Sequence, residues 1–188
     1  MSNSILTGAP GAGKTSIIRA LEACGHAVVE EAATDVIALM QAEGEAEPWT
    51  APDFIDRIVA LQRERRLVAA ARPPPMRFHD RSVICTQALC TYLERSTPDA
   101  LAREIDAVMG EAAFQPIVFF VRNIGFVTPT AARRISYEDS LAFEAVHEAT
   151  YRALGFELVE VASAPLANRV AFVAAFAQDQ AAASASRR

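Results

Sequence analysis

Short apolar runs alternate along this chain with longer segments whose apolar residues recur every three or four positions, the signature of strands alternating with helices. Ser4 to Thr7 reads as a strand that feeds a glycine-rich turn. From Thr15 to Cys24 the spacing of Ile17, Ile18 and Leu21 predicts a helix, with Gly25 as its stop, and Ala27 to Glu30 reads as a second buried strand. Val36, Leu39 and Met40 predict a helix over Glu31 to Gln41, ended near Gly44 and Pro48. A longer helix begins after Pro52, with Phe54, Ile58, Leu61 and Val68 on one face. It must stop at Arg72-Pro73-Pro74-Pro75, because proline has no N–H for the helix ladder and forces the residue before it towards extended backbone.

The second half keeps the same rhythm. Met76 to His79 reads as a third strand, Ser82 to Leu93 as a helix, and Thr97 as the N-cap of another helix with Pro98 at its first position and its end near Met109. Gln115 to Val121 reads as a strand whose run from Ile117 to Val121 is apolar on both faces, as a central parallel strand should be. An irregular polar stretch, Arg122 to Ile135, precedes a capping-box pair, Ser136 and Asp139, that opens a helix to Leu154. Glu157 to Val161 reads as a fifth strand and Pro165 to Phe176 as the last helix. The class is α/β, a mainly parallel sheet covered by helices on both faces, with residues 1–178 as one domain and 179–188 as a frayed tail.

Composition changes this picture little. A length of 188 residues suits a single core, and 52% hydrophobic with 22% charged residues is ordinary for a globular domain. A net charge of -5 argues against nucleic-acid binding, which needs a basic patch. Cys24, Cys85 and Cys90 are odd in number and lack CxxC spacing, so neither a disulfide framework nor a zinc site is expected. With no leader or membrane-spanning run in the pattern, the expected compartment is the cytoplasm.

The chemistry begins at Gly8-Ala9-Pro10-Gly11-Ala12-Gly13-Lys14-Thr15, a full GxxxxGK[ST] match between a strand and a helix. Glycines in such a loop let backbone N–H groups converge on phosphate oxygens, the helix terminus adds positive potential, Lys14 reaches the β- and γ-phosphates, and Thr15 can ligate magnesium. Ser16 completes the expected nucleotide-binding set. A second acidic group for the metal is expected at the end of a neighbouring strand, and Asp80 is the candidate, although it also suits capping of the helix at Ser82. Arg81 then offers a phosphate-directed guanidinium beside it. Glu31, at the carboxyl end of the second strand, can orient an acceptor hydroxyl or simply start a helix.

Arg122, Arg133 and Arg134 bracket the irregular stretch, which is long enough to fold over a nucleotide, and Arg134 is favoured for stabilising transferred charge. His26 and His147 read as structural or solvated and His79 as a strand-end histidine. Arg63-Glu64-Arg65-Arg66 reads as a solvated helix face from which Gln62 and one arginine can reach the crevice, and Trp49 suits either a ligand or the core.

With the phosphate loop, the Val29-Glu30-Glu31-Ala32-Ala33 strand end, the Phe78-His79-Asp80-Arg81 turn and the segment from Tyr151 to Val159, the chain resembles the NadR-like AAA-type ATPase domains over nearly its whole length. That resemblance implies the nucleoside and nucleotide kinase fold, a five-stranded parallel sheet in the order 2-3-1-4-5. It implies that Glu31 occupies the acidic position after the second strand and that Asp80-Arg81-Ser82 is similar to the Glu-Arg-Ser turn of deoxynucleoside kinases, with Arg134 near the lid arginine. Its best-understood relatives phosphorylate a ribosylated nicotinamide. The chain departs from the pattern in lacking a clean aliphatic run before Asp80, where Pro75, Arg77 and His79 intervene.

Two functions stay open on the sequence. One is a small-molecule kinase using ATP and Mg²⁺, with Lys14, Asp80, Arg81, Arg134 and Glu31 as its catalytic set and Thr15 and Asp80 at the metal. The other is a regulatory ATPase that reports its nucleotide state to a partner. ATP is preferred over GTP because Ala162 to Pro165 carries no guanine-recognition motif. The expected partners are a nucleotide and an unidentified small-molecule acceptor, without nucleic acid or membrane, and homodimer formation is left open.

Overall fold

The computed structural model describes residues 2–71, 74, 76–123 and 136–185. Its strands are β1 (Ser2–Thr7), β2 (Ala27–Val29), β3 (Met76–Asp80), β4 (Ile117–Val121) and β5 (Glu157–Val161), all paired in parallel in the order β2-β3-β1-β4-β5. The helices are α1 (Lys14–Ala23), α2 (Ala32–Ala42), α3 (Phe54–Ala70), α4 (Val83–Tyr92), α5 (Asp99–Gly110), α6 (Tyr137–Ala153) and α7 (Leu166–Ala185). The sheet order is the one that the sequence led us to expect.

Hydrophobicity sets which strands lie inside. Every residue of β4 is buried, whereas the edge strands β2 and β5 are largely half-exposed. Alternation along the pleat then divides the core. Leu6, Phe78, Phe119 and Val121 pack with Ile17, Ile18 and Leu21 of α1 and Val173 of α7. Ile5 and Val118 turn to the other face, against Ile84 and Cys85 of α4 and Tyr151 of α6. A third cluster joins Val36 and Met40 of α2, Phe54 and Ile58 of α3, and Leu101 and Val108 of α5. Among the described residues, no helix is long and apolar enough to cross a membrane.

Three local expectations change. The helix at Thr97 starts later, with Pro98 as N-cap (φ −64°, ψ 150°). Thr97 Oγ1 is engaged instead with the Gln87 side chain, at 2.9 and 3.0 Å. Val68 is 67% exposed, not part of an apolar face, because the inward side of the last turns of α3 carries Gln62, Arg65 and Arg66. Finally, α7 extends beyond the expected end at Phe176 and runs to Ala185.

Candidate active site

The phosphate loop leaves the central strand β1 and enters α1 at Lys14. Two of its glycines have positive φ and close neighbours. A Cβ on Gly8 (φ +126°) would lie 2.3 Å from the Val121 carbonyl oxygen, so the loop can leave β1 against the end of β4 only without a side chain there. Gly13 (φ +86°) is the left-handed N-cap of α1, and Ile17 N–H donates to its carbonyl at 3.2 Å. Lys14 is 6% exposed and its Nζ donates to Ala9 O at 2.7 Å. Burial first, and then the Arg81 guanidinium, lowers its pKa to about 7, against the pull of Asp80 and Glu31.

The carboxyl end of β3 brings the next groups beside it. Asp80 is 4% exposed; its Oδ2 accepts from Thr15 Oγ1 at 3.1 Å, and its Oδ1 is buried without a hydrogen-bond partner among the described residues. Burial, and then the Glu31 carboxylate, raise the Asp80 pKa above the usual carboxylate value, while Lys14 and Arg81 oppose the shift. An orphaned carboxylate oxygen next to a hydroxyl suits Mg²⁺, which keeps most of its shell as phosphate oxygens and water. Asp80 and Thr15 are the residues that could hold it or its waters.

Arg81 adopts φ 71°, a strained conformation for a residue with a side chain, and its N–H donates to Leu6 O at 3.0 Å. This conformation ends β3 and turns the side chain towards Glu31, whose Oε1 lies 2.6 Å from Arg81 Nε as an ion pair not aligned for a hydrogen bond. Glu31 is also the N-cap residue of α2, and its Oε2 accepts from Thr34 Oγ1 at 2.8 Å. The structure thus brings Lys14, Thr15, Glu31, Asp80 and Arg81 to one place.

Sequence reasoning missed the group behind Arg81. His147 of α6 is fully buried, with Nδ1 2.9 Å from Phe143 O and Nε2 2.9 Å from Arg81 Nη1. A carbonyl can only accept, so Nδ1 carries the proton and Nε2 accepts from the guanidinium. Burial and then Arg81 hold the His147 pKa well below its ordinary value, which keeps that acceptor available. Phe143, His147 and Tyr151 follow at four-residue intervals, and all three are buried. That inward stripe was the signal available in the sequence. Tyr151 OH meets Ser82 Oγ at 2.9 Å and Cys85 Sγ at 3.1 Å, and Ser82 Oγ caps α4 by accepting from Ile84 N–H at 3.2 Å.

A cavity of about 500 Å³ opens between the phosphate loop and α2, α3, α4 and α6. Pro10, Glu31 and Arg81 line it, as do the rings of Trp49, Tyr92 and Phe143. Tyr92 and Phe143 lie 4.6 Å apart between ring centroids, tilted by 32°. Gln62 also lines it, and its Oε1 accepts from Thr86 Oγ1 at 2.8 Å, which leaves the amide NH₂ as the donor it can offer.

Other candidates lie elsewhere. Arg65 and Arg66 are not a solvated face: Arg65 donates to Glu30 O and Glu31 O and pairs with Asp35, and Arg66 bonds Glu104 and Glu111, each at 2.8 Å. Arg122 is held by Glu144, Glu148 and Glu160 over the Phe120 ring, so its charge is engaged at the end of β4. Arg133 and Arg134 lie outside the described residues. Ser16 is exposed at the start of α1. His79 is 4% exposed and stacks edge-on against Phe114, while His26 stacks edge-on against Phe78.

Residues 3–169 match the family model described as AAA domain. No curated protein matches the sequence significantly. Among solved structures, the deoxyadenosine kinase of M. mycoides with bound dCTP is similar at a TM-score of 0.60 and 12% identity, over 95% of this chain and 100% of that one. The shikimate kinase of Acinetobacter baumannii in complex with shikimate is similar at a TM-score of 0.56 and 15% identity, over 96% of this chain and 94% of that one. At these identities the likeness concerns the fold, which is that of the P-loop kinases.

Proposed function

The chain belongs to the AAA domain family, and on that premise we propose that it is a kinase that transfers the γ-phosphoryl group of Mg-ATP to a hydroxyl of an uncharged, ring-bearing small molecule such as a riboside. The observation that carries this reading is the cavity of about 500 Å³ that runs from Pro10 of the phosphate loop to Glu31 and Arg81. A hydrolase needs room only for water, whereas this volume accommodates a small organic acceptor.

In this reading the loop amides and Lys14 hold the β- and γ-phosphates, and Thr15 and Asp80 hold Mg²⁺ or its waters. The metal supplies charge neutralisation at the phosphates. Glu31 accepts the hydroxyl proton as the acceptor oxygen bonds to the γ-phosphorus and the bond from that phosphorus to the bridging oxygen breaks, releasing ADP. Arg81 offsets charge on the transferred group, with His147 fixing its aim, and Arg134 adds a second guanidinium from the 124–135 segment.

Charge supports an uncharged acceptor. Among the described residues, the cavity is lined by three carboxylates, Glu31, Glu47 and Asp139, against one guanidinium, Arg81. Arg81 already faces Glu31, so an acceptor carrying a carboxylate or phosphate would meet a net negative wall. The finer likeness, to NadR-like domains, rests on Glu31 and the Asp80-Arg81-Ser82 turn; a ribosylated nicotinamide is a pyridinium cation, so that likeness supports a riboside without negative charge rather than a strictly uncharged one.

The test is ADP release over a panel of uncharged ribosides and the corresponding 5′-monophosphates. We expect turnover with at least one riboside, weaker turnover with its monophosphate, and loss of both in Lys14→Ala. No acceptor-dependent release above the Lys14→Ala background would remove the proposal.

A further inference from the structure

Arg169 stands in the first turn of α7, yet its side chain reaches the outer face of the phosphate loop. It is only 8% exposed. Nη1 donates to the Ala12 carbonyl at 2.9 Å, and the guanidinium lies so close to Gly13 that a Cβ there would come within 2.9 Å of Nη2. Its Nε is buried without a hydrogen-bond partner among the described residues. An arginine buried to this degree costs free energy unless its charge is used, and here the hydrogen bond goes to a carbonyl, not a carboxylate.

The geometry of one peptide unit gives the charge a use. In a trans peptide the C=O and the following N–H point in opposite directions. The described chain has no cis peptide bonds, so fixing the Ala12 carbonyl towards Arg169 fixes the Gly13 N–H away from it, at the amino end of α1. A charged donor on the carbonyl also polarises that amide, as successive hydrogen bonds in a chain strengthen one another. Gly13 and Arg169 form one device: the missing side chain is what lets the guanidinium lie against the loop.

We propose that Arg169 is a positioning residue for nucleotide binding, which through the Ala12 carbonyl presents the Gly13 N–H to the β-phosphate and places a full positive charge behind the loop. The inference rests on the reading that residues 8–15 hold nucleotide phosphates. It makes the C-terminal helix part of the nucleotide site, although α7 carries no residue of the cavity described above.

Binding of ATP, ADP and AMP is measured for the wild type, Arg169→Met and Arg169→Lys, with thermal unfolding of each protein without nucleotide. Arg169→Met should weaken ATP and ADP by about tenfold or more, since a hydrogen bond to a charged group is lost, and leave AMP within roughly twofold. Arg169→Lys, which keeps a charged donor, should recover most of the affinity. Equal weakening of ATP, ADP and AMP, or unchanged ATP binding with only a lower unfolding temperature, would reduce Arg169 to a brace between α7 and α1 and overturn the proposal. If Arg169→Met does not fold, wild-type ATP affinity in a folded Arg169→Gln overturns it equally. A wild-type protein that binds no ATP instead removes the nucleotide reading on which it rests.

Discussion

In the proposed kinase the buried Lys14 takes its partners from the phosphates of the bound nucleotide, and that reading carries a pH dependence. Its pKa is lowered to about 7 by burial and by Arg81, so above that pH the lysine of the free protein is largely neutral. Bound phosphates favour its charged form and raise its pKa again. ATP binding at pH 8 to 9 should then take up about one proton, and affinity should fall as pH rises above 7. Calorimetry in buffers of different ionisation enthalpy measures this directly, and Lys14→Met should abolish the uptake. His147 gives a second prediction at the same scale. Replacing it by Phe removes the acceptor for Arg81 and should lower kcat by about tenfold with little change in KM for ATP, while His147→Gln, which keeps an acceptor, recovers part of the loss.

These residues differ in how legible they were. Gly8 to Thr15 is contiguous, so its chemistry is written in sequence order. The Arg81 site draws on Glu31, Arg81 and His147, far apart in the chain, and only folding brings them together. Glu31 and Arg81 were found because they end strands. His147 was not, because charged neighbours on α6 hide its inward stripe. Arg169 had no signal at all beyond its place near a helix start.

At the scale of elements, the strand, loop and helix unit is constrained where β1 passes β4. Gly8→Ala places a methyl group 2.3 Å from the Val121 carbonyl oxygen in a backbone conformation that alanine disfavours. The loop or the end of β4 must move, so we expect a loss of about 2 kcal/mol or more in urea unfolding, together with loss of ATP binding. The elements themselves were mostly readable from periodicity. Departures came where a residue found a better partner than its local role offered, as Thr97 did with Gln87 instead of capping α5. In α3 the buried apolar face ends with Val59; beyond it Gln62 bonds Thr86 at the cavity wall, while Arg65 and Arg66 are taken up by Glu30 and Glu31 carbonyls and by Asp35, Glu104 and Glu111. Composition alone, rich in arginine there, suggested solvent.

For the whole molecule, the parallel sheet places the carboxyl ends of β1, β2 and β3 side by side, and that alignment gathers the candidate site. The strand order was legible through family resemblance, whereas the cavity was not, since its walls come from α2, α3, α4 and α6 at once. Buried histidine next to the site also links it to acid stability. Burial first, then Arg77, lowers the His79 pKa to about 3, below its unfolded value of 6.5. The unfolded chain therefore binds the extra proton, and this contribution to stability is present above pH 6.5 and lost as pH falls towards 3. Urea unfolding of the wild type and His79→Gln should show a difference that shifts against the wild type as pH drops from 6.5 to 4.

Transfer itself is read by following the γ-phosphoryl group. With γ-labelled ATP, magnesium and an uncharged riboside panel, the account predicts label in an acid-stable organic phosphate ester, absent in Lys14→Ala. Label released solely as inorganic phosphate, at a rate that no acceptor changes, would contradict it.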